Sequence, residues 1–348
     1  MKTLTIIGAR PQFVKASVIS REIASLSGIK EIIVHTGQHF DENMSQIFFN
    51  QLNIPIPDYN LNINSLPHGA LTGRMIQGIE EIIMKEKPDW IIVYGDTNST
   101  LAGALAGKKM QYNIAHIEAG LRSFNNDMPD EINRLLTDKI SDLLFCPTST
   151  AVENLAIEGI TGAKVILSGD IMFDAFLYYL PQAKTPKINI PPKYLLSTVH
   201  RPENTDNLVN LNNIFSALNY IAKDIPLIIP LHPRTEQLID KTQFENITFI
   251  QPVGYFEMLY LLQHCSLVLT DSGGLQKEAF FIKKPCVTLR EETEWSELIQ
   301  NGFNVLAGSD YNKIISSTTL MLNKKIDFSL ELYGKGNAGK IILSELIQ

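Results

Sequence analysis

Residues 112–134 read YNIAHIEAGLRSFNNDMPDEINR, and they form one complete strand-loop-helix pattern. The apolar run YNIAHIEA is typical of a buried strand, and MPDE is typical of a first helical turn, where proline and acidic residues are favoured. Glu118 lies at the end of the predicted strand, and Glu131 lies in the first turn of the predicted helix. Ligands of open α/β sheets bind beside the carboxyl ends of the strands. The stretch therefore predicts two carboxylates at one crevice.

The same alternation of apolar runs and helical segments recurs along the whole chain. The runs are TLTIIG, EIIVHTG, DWIIVYGD, NIAHIEA, LLFCP and KVILSG in the first half, and YLLSTVH, PLIIPLHP, ITFIQP, SLVLTDS, PCVTLR and NVLAG in the second. Continuous apolar runs are typical of parallel strands that are covered on both faces. Helical patterns at 13–26, 73–86 and 150–157 separate some of them. An α/β fold with two doubly wound, Rossmann-like sheets in tandem is predicted.

The composition of the chain suggests two domains in an ordinary globular protein. The chain has 348 residues, 45% of them apolar, and a net charge of −7. The Pro/Lys-rich segment KTPKINIPPK indicates a linker between the halves. We expect an N-terminal domain over 1–170 that carries acid/base residues and a C-terminal domain over 171–330 that binds the ligand. A helix in 331–348 is expected to pack back across the junction.

Several classes of partner and location are disfavoured by the same data. No basic stripe is visible, which argues against nucleic acid. The three cysteines lie in or beside apolar runs without paired spacing, as expected for buried thiols in a reducing compartment. The chain runs from MKT directly into a strand, and no apolar run approaches the length of a membrane span. We therefore expect a cytoplasmic enzyme that has no membrane partner.

The first strand ends in GARPQ, residues 8–12, and a helix follows from about Phe13. The three spaced glycines of a dinucleotide fingerprint are missing. Arg10 and Lys15 bracket the predicted helix N-terminus, where the macrodipole disfavours cations. A bound phosphate would explain both cations, because helix N-termini bind anions. The alternative is that both are solvated surface cations.

Three acids are candidates for proton transfer. Asp96 follows the strand DWIIVYGD and occupies the same kind of position as Glu118, although it is also suited to capping the next helix. Glu131 has an alternative reading as a solvated helix start that pairs with Arg134 three residues later. Taken together, the three carboxylates favour acid/base chemistry at one sheet edge.

Histidines follow two strands of the second half. His200 ends YLLSTVH and opens the segment HRPEN, where it is suited to contact a leaving phosphate or to donate a proton to it. His232 ends PLIIPLHP and is equally consistent with a structural role. In the first half, His116 precedes Glu118 by two residues, on the same side of the strand, and is expected behind it. The histidines lack metal-ligand spacing, so no metal is predicted.

The segment TDSGGLQKEAF is the most specific motif of the second half. Its Ser272-Gly273-Gly274 turn connects a strand to a helix, and glycines there allow backbone N–H groups to approach a diphosphate. Glu278, one turn into the helix, is suited to accept hydrogen bonds from ribose hydroxyls. The alternative is a simple glycine-rich turn. The loop LREETEW, residues 289–295, is a candidate to close over the sugar.

Taken in order, these motifs resemble the non-hydrolysing UDP-N-acetylglucosamine 2-epimerase family, including its UDP-2,3-diacetamido-2,3-dideoxy-glucuronate branch. The resemblance rests on GARPQFVK, YGDTNST, HIEAGLRS with MPDEINR, HRPEN, HPR and TDSGGLQKEA, and it covers essentially the whole chain. It implies a GT-B fold with a UDP-sugar between two Rossmann-like domains. Gln12 stands where the family frequently has glutamate.

The resemblance also implies roles for individual residues. The implied acid/base residues are Asp96, Glu118 and Glu131, with His200 at the diphosphate. The implied contacts to substrate or UDP are Arg10, Lys15, Arg122, Arg134, His232, Ser272, Gly273, Gly274, Glu278 and Arg290. The implied reaction eliminates UDP to give a 2-acetamidoglucal and adds it back after protonation from the other face, without cofactor or metal.

The family leaves the sugar open. UDP-GlcNAc, interconverted with UDP-ManNAc for cell-surface polysaccharide precursors, is the first expectation, and the diacetamido-glucuronate is the alternative. A homodimer is expected. A GT-B glycosyltransferase and a UDP-sugar sensor are the rival functions, and a dehydrogenase is disfavoured by the missing glycines.

Overall fold

The chain folds into two compact units, each built around one parallel sheet. A computed structural model describes residues 1–38 and 56–348, with the exception of the Arg10 side chain. The first unit comprises Met1–Leu177 together with Glu331–Gln348, and the second comprises Tyr178–Leu330. The α/β architecture with two parallel sheets, predicted from the sequence, is confirmed.

The strands and helices of the described ranges are numbered here in chain order. The strands are β1 (Lys2–Ile7), β2 (Lys30–His35), β3 (Tyr59–Asn60), β4 (Trp90–Tyr94), β5 (Asn113–Ile117), β6 (Leu143–Cys146), β7 (Val165–Leu167), β8 (Leu195–Thr198), β9 (Leu227–Pro230), β10 (Ile247–Ile250), β11 (Leu267–Thr270), β12 (Cys286–Thr288) and β13 (Asn304–Leu306). The helices are α1 (Arg10–Ala24), α2 (His68–Glu86), α3 (Asn98–Lys109), α4 (Pro129–Ile140), α5 (Ser149–Ile157), α6 (Ile171–Tyr179), α7 (Pro202–Thr205), α8 (Leu208–Ile221), α9 (Pro233–Glu236), α10 (Tyr255–His264), α11 (Gly273–Phe281), α12 (Ser296–Gln300), α13 (Tyr311–Asn323) and α14 (Ala338–Ile347).

Strand order places the motif-bearing loops at one point of each sheet. The first sheet runs β3-β2-β1-β4-β5-β6-β7, and the second runs β10-β9-β8-β11-β12-β13. In each sheet the direction of winding reverses once, between β1 and β4 and between β8 and β11. Ligands of doubly wound sheets bind at such switch points. The loops that follow these four strands carry GARPQ, GDTN, HRPEN and DSGG.

The first sheet differs from the sequence expectation by one strand. The sequence predicts six strands in each half, but the two-residue strand β3 adds a seventh to the first sheet by pairing with the end of β2. A pairing of two residues is too short to produce an apolar run that could be recognised. The longer strands are almost fully buried, and the strands together with α2 and α3 form the core of the first unit. A separate core in the second unit lies against α8 and α13.

The three cysteines are buried free thiols, as the sequence predicts. Burial raises the pKa of Cys146, Cys265 and Cys286 to about 12 in each case, so the thiols are neutral and unreactive at neutral pH. None of the helices in the described parts of the chain combines the length and apolar character needed to cross a membrane.

The C-terminal segment returns to the first unit and is held there by a helix cap. Helix α14 packs against α1, and the Asp174 carboxylate on α6 accepts a hydrogen bond of 2.9 Å from the Gly339 amide at the start of α14. The Asp170 amide donates to the Tyr333 carbonyl at 3.0 Å. Burial raises the pKa of Asp174, although the amides of Gly339 and Ala338 oppose this rise. The return segment is thus fixed by one side chain that caps a helix start.

We expect Asp174→Ala to lower the free energy of unfolding by about 1 kcal/mol, because the first turn of α14 loses its acceptor. Asp174→Asn is the matched variant, since its amide oxygen retains the acceptor without a buried charge. Urea unfolding followed by circular dichroism measures both. Equal destabilisation by alanine and asparagine would show that the cap is not the source of the effect.

Candidate functional site

The carboxyl ends of β4 and β5 bring two of the predicted acids together. The register pairs Tyr94 with Ile117, so Asp96 and Glu118 follow neighbouring strand ends. Gly95 has a φ of +64°, and a Cβ there would lie 3.2 Å from the Glu118 carboxylate. Glu118 itself has a φ of +73°. A non-glycine residue in this region is strained, and such strain persists where the surrounding structure fixes a functional residue.

Lys15 is the cation that compensates Glu118. The Lys15 ammonium group and the Glu118 carboxylate form an ion pair, and about one tenth or less of either side chain is exposed. A buried charge costs free energy unless an opposite charge compensates it, and these two side chains compensate each other. The structure therefore places Lys15, predicted at a phosphate, against the strand-end carboxylate. Arg10, predicted beside it, has a side chain outside the described residues.

Arg134 bridges the other two acids. Its guanidinium forms ion pairs with Asp96 and with Glu131. Burial lowers the pKa of Arg134, but the two carboxylates outweigh burial and raise it, so the cation is permanent. The side chain of Asp96 is 34% exposed, and that of Glu131 is 1% exposed. Asp96 is thus the accessible acid of this pair.

Glu131 is occupied by the loop that precedes its own helix. Its carboxylate accepts hydrogen bonds of 3.0 to 3.2 Å from the Ser123 and Phe124 amides. Burial raises the pKa of Glu131, but these amides and Arg134 lower it below its ordinary value. The carboxylate is therefore ionised and committed to holding the β5–α4 loop in place.

Gln12 connects the loops after β1 and β4, and the sequence interpretation missed this role. Its amide oxygen accepts from the Gly8 and Ala9 amides at 2.8 and 2.9 Å, and its amide nitrogen donates to the Tyr94 carbonyl at 2.8 Å. The side chain is 2% exposed. The departure from the family's glutamate at this position was the available signal.

Asn133 is a second residue that the sequence interpretation missed. Its amide group donates to the Asp96 carbonyl at 2.9 Å and to the Asn98 side chain at 3.2 Å. Arg122, predicted at the substrate, is instead buried, with its guanidinium paired to Asp138 and Glu158. The side chains of Asn133 and Arg122 are thus both bonded to other residues of the first unit.

The second unit brings its motifs together around Asp271. This carboxylate is fully buried and accepts hydrogen bonds from the backbone amides of His200 and Arg201 and from the side chain of Asn204. The loop after β8 is thereby fixed to the end of β11. The His200 ring is partly exposed and stacks on His232, with ring centroids 5.3 Å apart. The His232 Nδ1 accepts from the Arg234 amide at 3.2 Å, so it also caps α9.

The start of α11 has the features of an anion site. Ser272 caps the helix by accepting from the Leu275 amide. The space beside Gly274 is open, whereas a Cβ on Gly273 would lie 2.3 Å from the Glu294 carboxylate. Glu294 pairs with Arg290 at 2.9 Å, which places the loop after β12 next to this turn. The open side at Gly274 suits a phosphate group at a helix N-terminus.

Glu278 lies one turn further along α11 and is 7% exposed. Burial raises its pKa to about 7, while hydrogen bonding to Tyr255 and the charge of Lys277 act in the opposite direction. Tyr255 donates to it at 3.2 Å. A buried carboxylate of this kind is suited to accept hydrogen bonds from ligand hydroxyls. Within residues 1–38 and 56–348, no cluster of three or more His, Cys, Asp or Glu side chains has the arrangement of a metal site.

Comparison with known sequences identifies relatives along the whole chain. A family described as UDP-N-acetylglucosamine 2-epimerase matches residues 21–347. The chain is 54% identical to a UDP-2,3-diacetamido-2,3-dideoxy-D-glucuronate 2-epimerase of Pseudomonas aeruginosa, over 99% of both chains. It is 44% identical to a UDP-N-acetylglucosamine 2-epimerase of Methanocaldococcus jannaschii, over 99% of this chain and 98% of that one.

Solved structures give the same result. The UDP-GlcNAc 2-epimerase of Methanocaldococcus jannaschii in complex with UDP-GlcNAc and UDP matches with a TM-score of 0.90 and 43% identity, covering 100% of this chain and 99% of that one. The Neisseria meningitidis enzyme bound to UDP-GlcNAc matches with a TM-score of 0.89 and 32% identity, over 100% of both chains. The GT-B-type fold expected from the sequence is confirmed.

We predict that Glu278→Gln stabilises the protein at high pH while it weakens UDP binding. The folded pKa of about 7 exceeds the ordinary 4.5, so the wild type loses stability as the pH rises through this window. Glutamine removes that cost, which corresponds to about 3 kcal/mol above pH 7 and vanishes toward pH 4.5. It also has one acceptor oxygen fewer, so UDP affinity should fall about tenfold.

Chemical unfolding at several pH values and titration calorimetry with UDP measure the two effects. Glu245→Gln, at an exposed position of the same unit, is the matched control and should change neither quantity. A loss of stability in Glu278→Gln at pH 8 would contradict the expected cost of this buried carboxylate.

Proposed function

The chain belongs to the UDP-N-acetylglucosamine 2-epimerase family and is an isomerase, and from this premise we propose that it inverts C2 of a UDP-activated 2-acetamido sugar. The observation that carries the proposal is the charge cluster at the ends of β4 and β5. It combines Asp96 and Glu118 with Lys15 and Arg134. Acid/base groups of this kind are what the removal and return of a carbon-bound proton require.

The chemistry is an elimination followed by an addition. No carbonyl is adjacent to C2 in a 2-acetamido sugar, so the C2–H bond is not acidified in the manner of a ketone. A base takes the C2 proton, the electron pair forms the C1–C2 double bond, and the C1–O bond to UDP breaks. UDP then adds back to C1 while a proton reaches C2 from the opposite face. UDP and the proton are both returned, so the net reaction is an isomerisation.

We assign different roles to the three acids. Asp96 has the more exposed carboxylate, and Glu118 stands at the strained strand end, so these two are proposed to transfer protons. Glu131 is proposed to hold the β5–α4 loop and to orient Arg134, because its oxygens are occupied by backbone amides. This assignment separates chemistry from support within one cluster.

The nucleotide is proposed to bind the second unit. The turn Ser272-Gly273-Gly274 presents a helix N-terminus to the diphosphate, Glu278 accepts from the ribose, and His200 contacts the phosphates. His232 and Arg290 are proposed to complete this set. Arg10 and Lys15 retain the predicted role of stabilising departing UDP electrostatically. The homodimer and the cytoplasmic location expected from the sequence stay predictions.

Two sugars are candidates for this site. The 54% identity to the Pseudomonas aeruginosa enzyme, over nearly the whole of both chains, favours UDP-2,3-diacetamido-2,3-dideoxy-D-glucuronate. The identities of 44% and 45% to the UDP-N-acetylglucosamine 2-epimerases of Methanocaldococcus jannaschii and Methanococcus maripaludis keep UDP-GlcNAc as the second candidate. Both sugars undergo the same reaction at C2, so the assignment of the carboxylates applies to either one.

Incubation with each UDP-sugar alone in deuterated water tests the reaction. We expect the C2 epimer to form and a single deuterium to appear at C2, because the proton that returns comes from solvent. Proton NMR of the sugar reports both changes. UDP-sugar binding without deuterium uptake for either substrate would contradict the epimerase assignment and favour a sensor. Transfer to an added acceptor sugar would favour a glycosyltransferase.

Asp96→Asn and Glu131→Gln distinguish the two proposed roles. We expect Asp96→Asn to lower kcat about a hundredfold or more without a large change in stability. Glu131→Gln should lower the free energy of unfolding by about 2 kcal/mol or more, because an amide NH₂ would face the Ser123 or Phe124 amide. Deuterium exchange and urea unfolding are measured on both variants. A Glu131→Gln protein of wild-type stability that has lost exchange would assign proton transfer to Glu131.

A further inference from the structure

His116 is a fully buried titratable group outside the set of residues proposed to contact the substrate. It lies on β5 and its side chain is 0% exposed. Its Nδ1 is 2.7 Å from the Asp138 carboxylate, and its Nε2 is 2.7 Å from the Gly95 carbonyl oxygen. Both ring nitrogens therefore face oxygen atoms that can only accept a hydrogen bond.

This geometry determines the protonation state of the ring. A neutral imidazole has one N–H and one bare nitrogen. Either tautomer would place a nitrogen lone pair against an oxygen lone pair at 2.7 Å, in a site without solvent access. Only the imidazolium form donates to both partners. The buried charge is compensated at once, because Asp138 is also fully buried and in direct contact.

The surrounding charges balance when His116 is an imidazolium. Asp138 also pairs with Arg122 at 2.8 Å, and Arg122 is bound by both oxygens of Glu158, at 2.6 and 2.8 Å. Two cations and two carboxylates then form one neutral group. Burial raises the pKa of Asp138, but His116 and Arg122 lower it below its ordinary value. Cys146 on β6, near this carboxylate, is neutral because burial raises its pKa to about 12.

The position of His116 connects this neutral group to the proposed catalytic carboxylates. Glu118 follows it by two residues on β5, and the Gly95 carbonyl that it binds belongs to the peptide bond leading into Asp96. Asp138 also accepts from the Gly120 amide at 3.2 Å, just after Glu118. His116 thus holds the backbone just before Asp96, and its partner Asp138 holds the backbone just after Glu118. Without His116, the Gly95 peptide loses the donor that sets the direction of its carbonyl.

We propose that His116 is a positioning residue, a buried imidazolium whose two N–H bonds, to Asp138 and to the Gly95 carbonyl, set the placement of Asp96 and Glu118. The positioning role rests on the proposed epimerase function, whereas the protonation state does not.

The protonation state is tested directly by NMR of protein labelled with ¹⁵N-histidine. We expect both ring nitrogens of His116 to carry a proton at neutral pH, because each of them faces an acceptor oxygen. The His116→Asn spectrum identifies the His116 signals, and His264→Asn is the control for an exposed ring. A bare ring nitrogen at neutral pH would overturn the proposal.

The positioning role is tested with two variants that each replace one donor. The amide of His116→Gln reaches toward the Gly95 carbonyl, as Nε2 does, whereas the amide of His116→Asn reaches only toward Asp138. We expect asparagine to lower kcat about tenfold to a hundredfold with KM within about twofold, and glutamine to recover part of the loss. UDP affinity, measured by calorimetry, should be unchanged in both.

The results distinguish the positioning role of His116 from its protonation state. Equal kcat in asparagine, glutamine and wild type would overturn the positioning role, as would equal losses in both variants that track their loss of stability. A wild-type protein that shows no deuterium uptake with either sugar would refute the epimerase function itself. The NMR spectrum at neutral pH would still decide whether His116 is an imidazolium.

Discussion

The pairing of buried charges at the ends of β4 and β5 determines how this part of the molecule is built. An ion removed from water costs several kcal/mol unless a partner compensates it. Each of the three carboxylates at these strand ends meets this requirement with a particular cation. Lys15 pairs with Glu118, and Arg134 pairs with Asp96 and Glu131. Because the partners come from α1 and α4, these pairs fix the two helices against the strand ends.

The second unit solves the same problem with different chemistry. Asp271 accepts hydrogen bonds from the backbone amides of His200 and Arg201 and from the side chain of Asn204, and this arrangement orients the loop after β8. Among the described residues, Glu278 contacts the Tyr255 hydroxyl and lies near Lys277, and burial dominates its pKa. A carboxylate with few hydrogen-bond donors nearby can accept hydrogen bonds from the hydroxyl groups of a ligand. The first unit is thus preorganised by its own charges, whereas the second keeps part of its hydrogen-bonding capacity for a ligand.

The sequence predicted the fold well because continuous apolar strands leave a strong pattern, and all twelve expected strands are present. It predicted the support of the site less well, and α4 shows the reason. Its buried residues are Glu131, Asn133, Arg134, Thr137 and Asp138. Ile132 and Leu136 are 47% and 46% exposed. Hydrophobic periodicity assigns the opposite face to the interior. The burial of this polar face is explained by charged groups that other elements bring to the helix. Those groups are distant in sequence.

Gln12 illustrates what such support requires of a single side chain. A carboxylate at this position would still accept from the Gly8 and Ala9 amides, but it would turn an oxygen toward the Tyr94 carbonyl. The amide does both tasks, accepting on one side and donating on the other, without adding a charge near Lys15 and Glu118. A neutral group therefore joins the loops after β1 and β4. The nearby charges of Lys15 and Glu118 remain paired with each other. The arrangement of the site thus depends on such uncharged connections as well as on the acids that are proposed to carry the chemistry.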